Sequence, residues 1–324
     1  MESRKKIAIV IPAYNEEDNV EIAYRRLKEV LDFTNYDYEL IFVDDGSKDN
    51  TLSKLLELYE KDKKVKVISL SRNFGKEIAL SAGLDYADAD AVIPFDVDLQ
   101  DPPEVIPKLI AKFEEGYDVV NAVRIKREGE TFLKRFTSKA FYKIINILSD
   151  IEIPQDVGDF RLISRDALNA IKGIRERKRF MKGIFAWVGF KTTSVYYERA
   201  PRHAGKTKWN YFKLINLAVE GITSFSIAPL RLASLLGLFV SFVAFLYAMW
   251  IIIQKLIYGN PVKGYPSIMV AILFLGGVQL ITIGIIGEYV GRIYEEIKQR
   301  PLYIVKKIWD KDNKEENENI RLVT

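Results

Sequence analysis

The stretch ADAVIPFDVDLQD, residues 89–101, joins an apolar run ending at Phe95 to a polar string in which Asp96, Asp98, Gln100 and Asp101 follow in quick succession. A short apolar run closed by acids reads as a buried strand that ends at a polar site. In an extended segment, residues two apart point to the same side. Asp96, Asp98 and Gln100 are therefore expected to present three oxygen ligands towards one point. Hard oxygens suit Mg²⁺ or Mn²⁺, which bind through one or two carboxylates together with substrate phosphates. A metal on a diphosphate neutralises the charge that develops on a departing nucleoside diphosphate. Taken alone, a D-x-D string is also what a solvated acidic turn looks like. Its weight comes from what surrounds it.

Upstream, strand-like and helix-like patterns alternate. IAIVIPAY (7–14) reads as a buried strand, and residues from Glu17 to Phe33 carry apolar positions at helical spacing. YELIFVDDGS (38–47) is a second strand, with a helix over Thr51 to Tyr59. VKVISLSRN (65–73) is a third strand, with a helix over Lys76 to Tyr86. This order predicts an α/β fold with a mostly parallel sheet covered by helices on both faces. Ligands of such sheets bind outside the carboxyl ends of the strands, where PAYNEE, DDGS, SRNFGK and DVDLQD all fall. Of Asp44 and Asp45, one can hydrogen-bond a base or ribose while the other caps the next helix. Ser47 and Asp49 would cap equally well. Neither a Rossmann G-x-G-x-x-G nor a P-loop is present, so a nucleotide would be held by carboxylates and a metal.

The 324 residues carry a formal charge of only +4, with no basic block, and give no reason to expect a nucleic-acid partner. The absence of cysteine excludes disulfides, thiolate catalysis and Cys-ligated zinc. The opening MESRKKIAIVIPAYNEE is not a signal peptide, because Pro12 interrupts a short apolar run and acids follow at once. Towards the other end lie two uncharged runs, residues 232–254 and about 266–287, each long enough to cross a hydrocarbon core of about 30 Å. A short connector rich in Gly and Pro makes them a hairpin. Lys206, Lys208, Lys213 and Arg231 precede it and Arg292, Lys298, Arg300, Lys306 and Lys307 follow, whereas the connector holds only Lys255 and Lys263. That asymmetry predicts cytoplasmic termini and a cytoplasmic catalytic domain. The expected division is a catalytic domain over 1–208, an interfacial amphipathic helix over 209–227, the spans within 228–290 and a cytoplasmic tail over 291–324, disordered after Ile308. Gly287 and Gly291 form a small-xxx-small pair suited to close helix approach, and a homo-oligomer through the hairpin is expected.

PAYNEE (12–17), VDDGS (43–47), SRNFGKEIAL (71–80), FDVDLQDPPE (95–104), GDFRL (158–162) and the R-x-x-G-x-[ST]-K string (202–208) occur in this order. Together they resemble the family 2, GT-A-fold glycosyltransferases of the dolichol-phosphate mannose synthase type. With the two spans included, the chain is similar to bacterial bactoprenol-phosphate glucosyltransferases, over about residues 5 to 300. The resemblance implies a nucleotide-sugar donor, UDP-glucose by preference, and direct displacement with inversion. It places Pro12, Ala13, Tyr14, Glu16 and Asp44 around the nucleoside and Lys76 and Val97 near the donor. It puts Asp96, Asp98 and Gln100 on the metal and diphosphate, Asp159 and Arg161 beside the sugar, and Arg202 and Lys208 on a mobile closing loop.

The segment RIKREGETFLKRFTSKAFYK (124–143) is basic and partly amphipathic. Arg124, Arg127, Arg135 and Ser138 can cradle a phosphate, with arginine supplying bidentate contacts. Attraction to anionic headgroups explains the same charges, and a polyprenyl phosphate acceptor unites the two, as the resemblance also implies. A phosphate monoester is already largely anionic near neutral pH and needs far less general-base help than a sugar hydroxyl. Asp159 is the natural base candidate, and orienting the sugar or pairing with Arg161 would suit it equally. His203, the only histidine, reads as a polar contact. A processive polysaccharide synthase would carry Q-x-x-R-W and more spans, and a pyrophosphorylase a Gly-rich N-terminal loop. A non-catalytic membrane scaffold would have no use for the acids. Two spans with no charge deep inside offer a transporter little pathway.

Overall fold

The computed structural model describes residues 4–125, 157–177, 179–198, 226–258, 264–311 and 321–322. Arg127, Arg135, Ser138, Arg202, His203 and Lys208 lie outside them, as does the stretch 209–225 read as an interfacial helix. Strand β1 (Lys6–Ala13) shows why the chain folds in layers. Ile7, Ile9 and Ile11 alternate with Ala8 and Val10, and all five are fully buried. A strand apolar on both sides must be covered on both. The odd-numbered set packs with Val20, Ala23 and Leu27 of α1 (Val20–Leu31), Leu55 of α2 (Thr51–Lys61) and Leu109 of α4 (Ile106–Glu114). The even-numbered set packs with Leu80 of α3 (Lys76–Asp85), Leu168 of α5 (Arg165–Gly173) and Met181 of α6 (Met181–Trp187). Each buried Ile or Leu contributes roughly 1.5–3 kcal/mol, so the two cores drive formation of three layers.

β2 (Asp37–Asp44), β3 (Val65–Leu70) and β4 (Ala91–Pro94) complete a central parallel group in the order β3-β2-β1-β4. The expectation of parallel strands holds there. On the β4 side the sheet turns mixed: β6 (Val157–Ser164) runs antiparallel to β4 and to β5 (Val119–Arg124), while β5 pairs in parallel with β7 (Thr192–Tyr197).

Two long helices, α7 (Ala228–Tyr258) and α8 (Tyr265–Ile297), overrun the expected spans at both ends of the hairpin. Their apolar side chains face outwards, with Leu238 at 69% and Leu280 at 72% exposure. Both are long and apolar enough to cross a membrane. A Cβ added at Gly287 or Gly291 would meet nothing within 4 Å, so the glycine pair is not what brings α7 and α8 together.

The chain then returns to the sheet. β8 (Ile304–Trp309) pairs antiparallel with β3, and β9 (Arg321–Leu322) pairs with β8. This corrects two expectations. The catalytic domain does not end near residue 208, and the segment after the hairpin is not merely a polar tail. Val305 and Ile308 are fully buried and Tyr303, also buried, donates its hydroxyl to Asp85 at 2.8 Å. The register jumps from Ser69–Lys307 to Leu70–Val305. That bulge is what lets Lys306 and Lys307 stand together on the exposed side. The pairing with β8 covers what would otherwise be an open edge of β3. It also joins the end of α8 to the sheet, and the Tyr289 hydroxyl of α8 donates to the Ser226 carbonyl just before α7 at 2.7 Å.

Candidate active site

The carboxyl ends of the central strands carry the polar clusters, and hydrogen bonds bind those clusters to each other. After β1 the backbone turns at Asn15, whose φ is +53°. Its N–H donates to Ser47 Oγ at 3.1 Å, and its side-chain oxygen accepts from the Lys48 N–H at 2.8 Å. The Glu16 N–H reaches Thr51 Oγ1 at 2.9 Å. The PAYNEE and DDGS loops thus form one platform. Gly46 is required there: its φ is +68°, and a Cβ would stand 2.6 Å from the backbone of Arg72.

The two aspartates at the end of β2 divide their work differently from the expectation. Asp44 accepts from the Ser47 N–H at 3.1 Å and from the Ser69 hydroxyl at 3.2 Å. Asp45 reaches across to the third loop and accepts the N–H groups of Phe74 and Gly75 at 2.7 and 2.9 Å. Burial raises its pKa, against those two hydrogen bonds. Neither caps α2. Asp49 serves that end by accepting from the Thr51 N–H at 3.0 Å. Asp45 therefore sets the position of the residues immediately before Lys76.

Lys76 opens α3, and its ammonium bridges two carboxylates. It lies 2.7 Å from Asp96 Oδ1 and 2.7 Å from Asp159 Oδ2. Asp159 is placed by β6, which β4 brings alongside. Burial would raise Asp159, but Lys76, then Lys182 and Arg161, outweigh it and hold the carboxyl down at about 2. Lys76 is raised well above the usual lysine value: burial opposes this, and Asp159, Asp96 and Glu77 overcome it. Behind them Glu77, next on the helix, is raised to about 8 by burial and by the charge of Asp159. Arg161, buried on β6, is lowered to about 10 by burial. Its Nη2 donates to the Gly158 carbonyl at 2.7 Å, and its guanidinium carbon lies 4.1 Å from the Phe185 ring centroid. The resemblance put Arg161 beside the sugar; the structure buries its side chain next to Asp159 on β6, at 2% exposure.

The 96–100 segment departs from the extended form assumed for it. β4 stops at Pro94, the Leu99 N–H donates to the Asp96 carbonyl at 3.4 Å, and Leu99 has φ +56°. The chain makes a turn. Alternation survives the turn: Val97 and Leu99 are buried, while Asp96, Asp98 and Gln100 are partly exposed. Among the described residues no three His, Cys, Asp or Glu side chains converge as a metal cluster. The donor set is two carboxylates and an amide oxygen, which fits a hard divalent cation that completes its shell with substrate phosphate. Buried Asp159 Oδ1, Arg161 Nε, Glu77 Oε2 and Asn121 Oδ1 have no hydrogen-bond partner among the described residues. Such atoms are rarely left unpaired in a finished interior, and here they surround one cluster.

Arg124, expected at an acceptor phosphate, is largely enclosed. Its Nη2 lies 3.3 and 3.2 Å from the two oxygens of Asp101, and its Nε donates to the Tyr197 hydroxyl at 3.1 Å. Burial opposes its charge, and Asp101 more than compensates, so its pKa is raised. Glu77, Asp101, Lys182 and Tyr197 take part in these networks although no sequence motif singled them out for a role.

Residues 8–172 match the Glycosyl transferase family 2 domain, and residues 228–293 match the GtrB C-terminal hairpin. An uncharacterized glycosyltransferase of Synechocystis is 56% identical over 94% of this chain and 96% of its own length. A prophage-derived bactoprenol glucosyl transferase of Shigella flexneri is 54% identical over 93% of this chain and 98% of its own. A prophage bactoprenol glucosyl transferase homolog of Escherichia coli is 53% identical over 94% and 99%. With its acid-ended parallel strands, its mixed flank and its terminal hairpin, this chain belongs to glycosyl transferase family 2 and carries a GT-A fold.

Proposed function

We propose that the protein transfers a hexose, glucose from UDP-glucose, onto a polyprenyl phosphate at the cytoplasmic membrane face, with inversion at the anomeric carbon. The observation that carries this is the pairing of β8 with β3. It returns the chain from two apolar helices directly into the sheet that bears the acidic site, so donor chemistry and a lipid surface belong to one unit. The relatives named as bactoprenol glucosyl transferases match nearly the whole chain, hairpin included, and support the same lipid acceptor. The excess of lysine and arginine flanking the hairpin supports the cytoplasmic side.

In this reading Pro12, Ala13, Tyr14, Glu16 and Asp44 form the nucleoside platform, with Val97 beneath the donor. Asp96, Asp98 and Gln100 would hold Mg²⁺ or Mn²⁺, which supplies charge neutralisation at the diphosphate. Lys76 is placed to turn its ammonium from Asp96 towards the same diphosphate. An oxygen of the acceptor phosphate attacks the anomeric carbon, the bond from that carbon to the diphosphate oxygen breaks, and the nucleoside diphosphate leaves. No proton need be removed from an acceptor that is already an anion. Asp159, paired with the Lys76 ammonium at 2.7 Å, orients Lys76 and the sugar. Arg124, Arg127, Arg135 and Ser138 receive the acceptor phosphate, while Arg202 and Lys208 close over the donor.

A transfer assay tests this: purified full-length protein, Mg²⁺ or Mn²⁺, undecaprenyl phosphate and a panel of radiolabelled nucleotide sugars. A metal-dependent, lipid-extractable product from UDP-glucose is expected. Nucleotide binding without any lipid product would overturn the acceptor assignment.

A further inference from the structure

Asp101 is the last residue of the acidic loop, yet it is buried where Asp96 and Asp98 are partly exposed. Its side chain is only 2% exposed, and it accepts from Arg124 Nη2 and from the Tyr197 hydroxyl. Arg124 and Tyr197 are register partners on β5 and β7, and the Ile125 N–H donates to the Tyr197 carbonyl at 2.9 Å. Tyr197 is fixed from below by Phe160, ring to ring at 6.0 Å and nearly perpendicular, and Phe160 packs in the same manner on Phe95. The guanidinium lies against Gly158: a Cβ there would stand 2.7 Å from Arg124 Nη2. The glycine that precedes Asp159 is thus the floor on which Arg124 rests. Nε and Nη2 are committed, and among the described residues Nη1 has no hydrogen-bond partner.

An arginine held in this way offers one fixed edge of its fork, with the rotamer freedom of the side chain already removed. We propose that Asp101 and Tyr197 are positioning residues that hold the Arg124 guanidinium on Gly158 so that Nη1 faces the phosphate of the acceptor. The inference rests on the polyprenyl-phosphate acceptor assigned above. It adds a function for the acid that ends the DVDLQD loop: Asp96 and Asp98 serve the donor while Asp101 serves the acceptor. One short loop thereby sets both substrates relative to the bond that changes.

Steady-state kinetics of the full-length protein in detergent, with undecaprenyl phosphate and UDP-glucose varied in turn, test this. Asp101→Asn is expected to raise the acceptor KM about tenfold or more while the donor KM stays within about twofold. Tyr197→Phe, a milder change that keeps the ring packing, is expected to raise the acceptor KM by about threefold. In an Arg124→Lys background neither change should add a further rise, since lysine has no fork to hold. Equal rises in both KM values, or additive effects in the Arg124→Lys background, would make the cluster purely structural and overturn the proposal. If the unaltered protein forms no product with any lipid phosphate, the acceptor assignment itself falls and takes this role with it. If it forms product and Asp101→Asn leaves the acceptor KM unmoved, only the present inference falls.

Discussion

Two ion-pair networks stand side by side at the carboxyl edge of the sheet, and they are built in opposite ways. In one, the Lys76 side chain is 46% exposed and bridges Asp96 and Asp159, which are 26% and 11% exposed, and buried atoms of Asp159, Arg161 and Glu77 close by have no hydrogen-bond partner among the described residues. In the other, Arg124 and Asp101 are 15% and 2% exposed, and Tyr197 completes their hydrogen bonding. An ammonium that water reaches can be drawn from its carboxylates by a competing charge. An enclosed pair is costly to break, because each partner would be left as an uncompensated buried charge. The first network is suited to exchanging its lysine's partners when a diphosphate and a cation arrive. The second is suited to keeping a guanidinium still.

The largest expected effect lies on the open network. Asp98→Ala should lower transfer by about 10²–10³-fold or more, with expression and membrane insertion unchanged. Full-length protein in detergent, assayed across Mg²⁺ and Mn²⁺ concentrations, checks this. Turnover retained in that variant would remove Asp98 from the metal site and leave the open network without its main function.

The second effect is on stability and separates the networks directly. Asp101→Ala leaves Arg124 buried without its counter-charge and should cost about 3–5 kcal/mol. Lys76→Met removes a half-exposed ammonium, and Asp159 keeps Arg161 and Lys182 nearby, so the loss should be about 1 kcal/mol. Thermal melts of the two variants under identical detergent conditions decide it. A larger loss for Lys76→Met would reverse the assignment of which network is structural.

Much of this was legible from the chain alone. The alternation of Ile7, Ile9 and Ile11 with Ala8 and Val10 dictates a doubly covered strand. Acids placed after apolar runs mark the ligand edge, and uncharged runs of such length declare the hairpin. Three features were hidden for identifiable reasons. β8 was obscured because a bulge sets Lys306 beside Lys307 and breaks the two-residue period. The bridge from Lys76 to Asp159 joins residues 83 apart, and only the antiparallel return of β6 against β4 brings them together. Asp101 looked like one more acid in a polar turn. Its partner Tyr197 is 96 residues away, and no local spacing reports such a contact. The division of labour between Asp44 and Asp45 was open for the same reason, since Asp45's partners belong to the loop after β3.

The smallest expected effect per unit of change is a pH dependence seated in the open network. Glu77 is buried and faces Asp159, which raises its pKa from the ordinary 4.5 to about 8. Between those values the folded protein holds a proton on Glu77 that the unfolded chain has released. Stability contributed by this group is therefore complete below about pH 4.5 and is lost as pH rises through about 8. One proton gives a slope of at most about 1.4 kcal/mol per pH unit, so the loss from pH 7 to pH 8 should be about 1 kcal/mol. Glu77→Gln cannot ionise and should flatten that slope while leaving the Asp101 network untouched. Melting temperatures of the two proteins measured from pH 5.5 to pH 8.5 should diverge, with the Gln variant ahead at the alkaline end. Parallel curves would mean that Glu77 is ionised throughout, and that the open network already contains enough positive charge to satisfy Asp96, Asp159 and Glu77 together before any ligand binds.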